Sequence, residues 1–309
     1  MAAVRPAIGG IGAAGPVELR ASRSLWSDAW YAFRRDRVSM VASVVLLVLV
    51  VLSLGAPLFE QYVFAYRYDQ QDLLHALAKP TMDPPAFLLG SDEIGRSQIV
   101  RLLYGGRVSL AVGFFAAVVL LLVGVTVGLV AGYLRGFTDD AVTFSVTVLN
   151  SIPTLFLLLI VAALFSPGPP TLVLILGLLG WTGTANFVRG QTFAVREREF
   201  ITAARTVGAT GGRIMLRHVL PNVLPFIFVL AMIDVGGLIL TESALSYLGL
   251  GIQPPTPSWG NMLTNATQYM GRAWWLVVSP VSAIFLTVLC LYLIGDGLRD
   301  ALDPRLRGS

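Results

Sequence analysis

VSLAVGFFAAVVLLLVGVTVGLVAGYL, residues 108–134, runs for 27 residues without a charged side chain. A helix rises about 1.5 Å per residue, so about 20 residues cross a hydrocarbon core roughly 30 Å thick. The stretch is long enough to span a bilayer with some tilt. Five further apolar runs lie at 41–58, 141–165, 171–188, 223–250 and 273–295. Pro153 and Pro280 fall inside two of them, and membrane helices accept such kinks where neighbours satisfy the freed carbonyls. The pattern predicts an all-α, polytopic membrane protein with about six transmembrane helices.

Composition points the same way. The 309 residues are 55% hydrophobic and 13% charged, against about 25% charged in soluble domains. Mean hydropathy is +0.74, so lipid must be part of the solvent. A net charge of +4 would suggest nucleic acid in a soluble chain. Here it reads as the arginine excess that membrane proteins keep in cytoplasmic loops, and no nucleic-acid partner is expected. Cys290 is the only cysteine, and His75 and His218 are the only histidines, so neither an internal disulfide nor a Cys/His metal site is expected. Lys79, the only lysine, precedes Pro80. No Walker A loop exists, and the chain is not expected to hydrolyse ATP itself or to bind a cofactor.

Around the apolar runs the chain divides into four parts. Residues 1–39 form a cytoplasmic N-terminal segment. Its first 23 residues are expected to lack fixed structure and carry no secretory-signal pattern. Trp26, Trp30 and Phe33 recur at helical spacing ahead of Arg34, Arg35 and Arg37, which predicts an interfacial helix followed by a basic cluster. Residues 40–107 hold the first span and an external loop, 108–298 the membrane core with a cytoplasmic loop at 189–222, and 299–309 a cytoplasmic tail. With both termini inside, cytoplasmic segments hold sixteen Arg and Lys and external ones six, as the positive-inside rule requires.

The loop REREFITAARTVGATGGRIMLRHVLPN, 196–222, is the most informative cytoplasmic stretch. Phe200, Ala203, Ala204 and Val207 fall at i, i+3, i+4 and i+7, one stripe of a helix, with Glu199, Arg205 and Thr206 off it. Gly208, Gly211 and Gly212 are expected to end that helix, a second short helix to run over 213–220, and Pro221 to open the fifth span. On spacing alone the small-residue stripe serves equally to dock a cytoplasmic partner or to fold against its own chain.

These residues also resemble the coupling loop of binding-protein-dependent ABC importer permeases, whose pattern is Glu-Ala-Ala, three residues, Gly, then a run to Leu-Pro. Ala203, Ala204, Gly208, Leu220 and Pro221 match, His218 and Asn222 are also similar to the family, and Thr202 stands where Glu is usual. LLGSDEIGRSQIVRLLYGGRVSL (88–110), with Ser97 where Asp is common, ESALSYLGLGIQPPTPSWGNML (242–263) and GDGLRDALDPRLRG (295–308) narrow the resemblance to the C-type (OppC/DppC-like) permease subunits of dipeptide and oligopeptide importers. It covers about 24–308. It implies a type I importer permease fold in the bacterial cytoplasmic membrane. It also implies a B-type permease partner, two ATPase subunits that bind ATP and Mg²⁺, and an extracytoplasmic solute-binding protein. Coupling to the ATPases would involve Glu199, Thr202, Ala203, Ala204, Gly208, Arg213, His218, Pro221 and Asn222.

Asp234 and Glu242 are the acidic residues set well inside an apolar run. An intramembrane charge costs roughly 2.5–3.5 kcal/mol on insertion scales and usually faces a bundle interior or a wet path. They read as pathway or permease-pair residues, or as hydrogen-bonded structural carboxylates. The run GIQPPTPSWGNML, with Pro254, Pro255 and Trp259, reads as an outer corner or a binding-protein contact. Two other classes are disfavoured. A membrane hydrolase would need a nucleophile with its base or a close acid pair, and Asp234 and Glu242 lie about 12 Å apart along a helix. A self-sufficient secondary carrier would show internal repeats, and none is evident.

Overall fold

The computed structural model describes residues 25–165 and 168–302. The expected disordered stretch 1–23 and most of the tail lie outside these residues. The described chain is helical: α1 Leu25–Arg35, α2 Arg37–Leu54, α3 Ala56–Phe59, α4 Gln98–Leu134, α5 Phe137–Asn150, α6 Thr154–Phe165, α7 Pro169–Leu179, α8 Trp181–Arg196, α9 Glu199–Thr206, α10 Gly211–Ile214, α11 Leu220–Tyr247 and α12 Trp275–Leu302. Short π and 3₁₀ turns fill part of the loops.

Four continuous helical stretches are long and apolar enough to cross a membrane: 37–54, 98–134, 211–247 and 275–302. The other two expected spans are broken. α5 and α6 meet at 79°, and α7 and α8 at 41°. The first break falls at Pro153, which lacks an N–H and disfavours helical geometry at Ile152. The kink read as tolerable within one helix is thus a sharp corner. Pro280, by contrast, stays inside α12, and Pro225 inside α11.

Helix α4 organises the bundle. It begins ten residues before the apolar run, because Ser97 caps it by accepting the Val100 amide at 3.3 Å. Its glycines at 124, 128 and 132, spaced by four, form a strip that lets α8 approach backbone to backbone. A Cβ at Gly124 would lie 2.8 Å from the Thr184 Cβ, and one at Gly132 would lie 2.7 Å from that of Thr192. Such close approach replaces the hydrophobic driving force that lipid does not supply between helices. Further along α4, Val112, Ala116, Ala117 and Leu120 pack with Leu172, Leu176, Leu238 and Leu245 of α7 and α11.

The two ends of the bundle differ in construction. At one end α1 lies on α12, with Ala29 and Phe33 packed on Cys290, Ile294 and Ala301. The Asp36 carboxylate caps α2 through the amides of Val38 and Ser39, both at 3.1 Å. The Ser39 side chain first, and then these amides, hold its pKa below the ordinary carboxylate value against the opposing cost of burial. The opposite end carries the 55–97 loop, tied down where Tyr66 donates to the Gly95 carbonyl at 2.7 Å and Trp275 Nε1 to the Ser91 carbonyl at 3.1 Å.

Candidate functional site

At the α1 end, α9 is held by one face only. Ile201 is fully buried among Tyr133, Val188, Ile214, Val219 and Val223, with Ala204 half-buried beside them. Of the anticipated stripe, Ala204 faces inward and the other three residues face away. Phe200, Ala203 and Val207 are exposed, Val207 at 87%. An amphipathic connector folded wholly on its own protein would bury the stripe, and here three of its four residues are left exposed. Glu199 and Thr202 are exposed alongside it.

Gly208 follows with φ +84° and nothing within 4 Å of a built Cβ. Its requirement is conformational, not steric: it reverses the chain after α9. The expectation for the next residues needs correction. Gly211 and Gly212 do not end the preceding helix; they open α10. Nor does Pro221 begin a separate span. α10 passes through a π turn at Met215–Val219 into α11, so 211–247 is one continuous stretch. The helix expected at 213–220 is part of it. Pro221, which has no N–H to give, is accommodated directly after the π turn, where the hydrogen-bond register changes. Arg213, Pro221 and Asn222 are exposed, His218 is half-buried, and Asn222 Nδ2 donates to the His218 carbonyl at 2.6 Å.

Sequence reasoning missed what fastens this end. Tyr133, in the last turn of α4, lies under two guanidinium groups, Arg196 of α8 and Arg205 of α9, each 5.7 Å from its ring centre. A Cβ on Gly211 would stand 3.3 Å from the same ring. Arg135 bonds Glu197 at 2.7 Å, and Arg189 is paired with both oxygens of Asp139. The available signal was the Gly-Tyr-Leu-Arg end of the uncharged run 108–134, followed later by a loop rich in arginine.

The two intramembrane carboxylates differ. Asp234 is half-buried on α11 and accepts a 2.9 Å bond from Thr184 Oγ1 of α8. Two residues before Thr184, Thr182 of α8 donates to Asn150 Oδ1 of α5 at 2.9 Å. Glu242 is completely buried. It accepts from Ser109 Oγ of α4 at 2.8 Å and from Ser246 Oγ at 2.7 Å. Those serines in turn receive backbone amides, Trp259 N on Ser109 at 3.1 Å and Ile252 N on Ser246 at 3.0 Å. Glu242 is therefore the hub of a closed network that fixes the 251–263 turn onto α4 and α11.

Trp259 belongs to that network. Its side chain is only 2% exposed, it donates to the Leu102 carbonyl at 3.0 Å, and its ring fills the space left by Gly105 and Gly106. A side chain so placed is inaccessible to a partner, whereas Pro254 and Pro255 are exposed. Serines at 109 and 246 were overlooked as candidates, although 242 and 246 stand one helical turn apart.

Comparison with known proteins places these features among relatives. Residues 124–308 match the family described as the binding-protein-dependent transport system inner membrane component. Residues 24–80 match the N-terminal TM domain of oligopeptide transport permease C. The oligopeptide transport system permease protein OppC of Haemophilus influenzae is 38% identical over 92% of this chain and 90% of its own length. The dipeptide transport system permease protein DppC of Bacillus subtilis is 36% identical over 93% and 88%. The glutathione transport system permease protein GsiD of Pectobacterium atrosepticum is 37% identical over 92% and 93%.

Proposed function

The chain belongs to the inner-membrane components of binding-protein-dependent transport systems, and from that premise we propose how its two ends divide the work of peptide import. It is a multi-pass, non-catalytic permease subunit of an ABC importer for oligopeptides or dipeptides, with glutathione import among its relatives. Membership implies ATPase and binding-protein partners and no cofactor of its own. More specifically, we place both termini in the cytoplasm, one B-type permease beside this chain, two ATPase subunits carrying ATP and Mg²⁺ beneath it, and the solute-binding protein outside.

The single observation that carries the coupling proposal is the outward apolar face of α9. Phe200, Ala203 and Val207 offer a partner a greasy, close-approach surface, while Ile201 and Ala204 root the helix in the bundle. Glu199 and Thr202 flank that surface, and Arg213, His218, Pro221 and Asn222 lie on the adjoining segment. Movement of the ATPases would push α9, and through Tyr133 it would reach α4, a 37-residue rod about 55 Å long. Thr202, in place of the family's Glu, retains a hydroxyl but no charge, so the contact rests on apolar fit.

Asp234 is the better pathway or permease-pair candidate. It is half-buried, with one bonded oxygen, and lies where α8 and α11 meet. The geometry supports a structural role for Glu242 and Trp259, leaving Pro254 and Pro255 as the accessible part of that turn. The four-part division at 39, 107 and 298 follows the same assignment, with the core at 108–298 and the coupling loop at 189–222. The test is purification of the tagged chain from its native membrane, followed by reconstitution and uptake of labelled di- and oligopeptides. ATP-dependent uptake that requires a co-purified second permease, ATPases and added binding protein supports the assignment. Uptake by this chain alone, driven by an ion gradient, would replace it with a secondary carrier.

A further inference from the structure

The outward face of α1 has no role in the transport scheme, and its chemistry is specific. Its inward residues, Ala29 and Phe33, are buried on α12. Trp30, Tyr31, Arg34 and Arg35 are exposed, with Trp30 at 55%. Each arginine stands over an aromatic ring one turn back. Arg34 lies 4.8 Å from the Trp30 ring centre and Arg35 lies 4.3 Å from that of Tyr31, whose hydroxyl also accepts from Arg35 Nη2. Arg37 is exposed one turn further on. Among the described residues, none of the three arginines has a carboxylate within ion-pairing distance.

The position of this face is fixed by the chain itself. Asp36 alone separates α1 from α2, whose apolar run enters the membrane directly. Ser39 Oγ donates to the Leu293 carbonyl at 2.9 Å, locking that junction to α12. The exposed side of α1 must therefore lie at headgroup depth, where tryptophan and tyrosine are favoured. Apart from the Arg35 Nη2 bond to Tyr31, these ring contacts leave most of the guanidinium N–H donors available. Those donors match phosphate oxygens in pairs, which a lysine ammonium does not do.

We propose that the Trp30–Tyr31–Arg34–Arg35 face of α1 is a binding site for anionic phospholipid headgroups, with the two stacked guanidiniums gripping the lipid phosphate. The site fixes the tilt of α1 at the bilayer surface and requires only that α2 cross the membrane, not that the transport reading hold. Attraction to an anionic surface is worth about fivefold per arginine at most, and less in salt.

The test uses the full chain in bilayers of phosphatidylcholine containing a trace of spin-labelled phosphatidylglycerol or spin-labelled phosphatidylcholine. The fraction of each label immobilised by the protein gives its relative preference. The wild-type chain is expected to prefer phosphatidylglycerol severalfold, and Arg34→Gln with Arg35→Gln to lower that preference at least about threefold. Arg34→Lys with Arg35→Lys is expected to keep part of it. Arg67→Gln with Arg272→Gln, at the opposite end, should leave it unchanged. Undiminished preference in the glutamine chain, or an equal fall in the opposite-end control, overturns the proposal and leaves the face to an acidic protein surface. If the glutamine chain cannot be purified, the lysine chain decides: an undiminished preference there, with the charge kept and the paired donors gone, contradicts a guanidinium grip on the headgroup.

Discussion

Helix α4 ends in two regions that invert the usual reading of polarity. Near its loop end, a carboxylate, several hydroxyls and a tryptophan are packed away from solvent, and each visible bond closes on another part of the chain. At its other end, α9 leaves Phe200 and Val207 in the open, while Ile201, Ala204 and the Arg205 contact with the Tyr133 ring hold it in place. On sequence, both the carboxylates in the apolar run and the stripe in the polar loop carried a structural and a functional reading. The structure buries Glu242 in a closed network and leaves part of the α9 stripe exposed, which supports a structural part for the first and our proposal of a docking part for the second.

The strongest way to break this contrast is to empty the buried network. Trp259→Ala removes a buried indole and is expected to cost about 3–5 kcal/mol, read as a lowered thermal midpoint of the detergent-purified chain. A midpoint near wild type would mean the corner is not structural. Glu242→Ala leaves the Ser109 and Ser246 hydroxyls without their acceptor and should cost about 2–3 kcal/mol, with Glu242→Gln losing less because one oxygen remains. If both variants were stable but failed to transport, Glu242 would belong to the pathway after all.

At the other end the effects should fall on coupling before stability. Gly208→Val forces a branched residue into left-handed backbone at a cost of about 1–2 kcal/mol, with no steric clash because the space around Gly208 is empty. We expect ATP hydrolysis by the assembled importer to lose its response to binding protein; an intact response would remove the turn from the lever. The smallest effect belongs to Asp36→Ala, about 1 kcal/mol from the lost cap. Because the folded Asp36 carboxyl titrates below its ordinary 3.8, its contribution is complete above that value. It is lost as pH falls through the lower folded one. Acid unfolding curves of wild type and variant should therefore converge only in that acidic range; convergence near neutral pH would contradict the assignment.

How far the sequence carried this can be judged residue by residue. Among the described residues, apolar length located the four continuous candidate spans and both bent pairs, because hydrophobic thickness leaves few alternatives. It did not locate the corner at Pro153 or the bend at Gly180, since a hydropathy window averages over one residue and its outcome depends on what packs beside it. Gly180 is pressed by Leu120 of α4, a contact that no local reading contains. Ser97 was noticed only as a departure from a motif, yet it caps α4 and lengthens it by ten residues. Spacing found the α9 stripe but not its direction, which Ile201 settles by burying itself off that stripe. The one-turn spacing of Glu242 and Ser246 was legible, but their links to Ser109 on α4 and to the amides of Ile252 and Trp259 join separate segments and could not be read from either alone.

The most direct test of the account is a double substitution on the exposed face alone, Phe200→Ser with Val207→Ser, in the tagged chain purified from its native host. Exposed positions should change stability by no more than about 0.5 kcal/mol, so the thermal midpoint of the chain serves as its own control. The account predicts an unaltered midpoint together with at least about a tenfold loss of the ATPase activity that co-purifies with the wild-type chain. Full ATPase activity on a folded variant would contradict it and return α9 to being a connector.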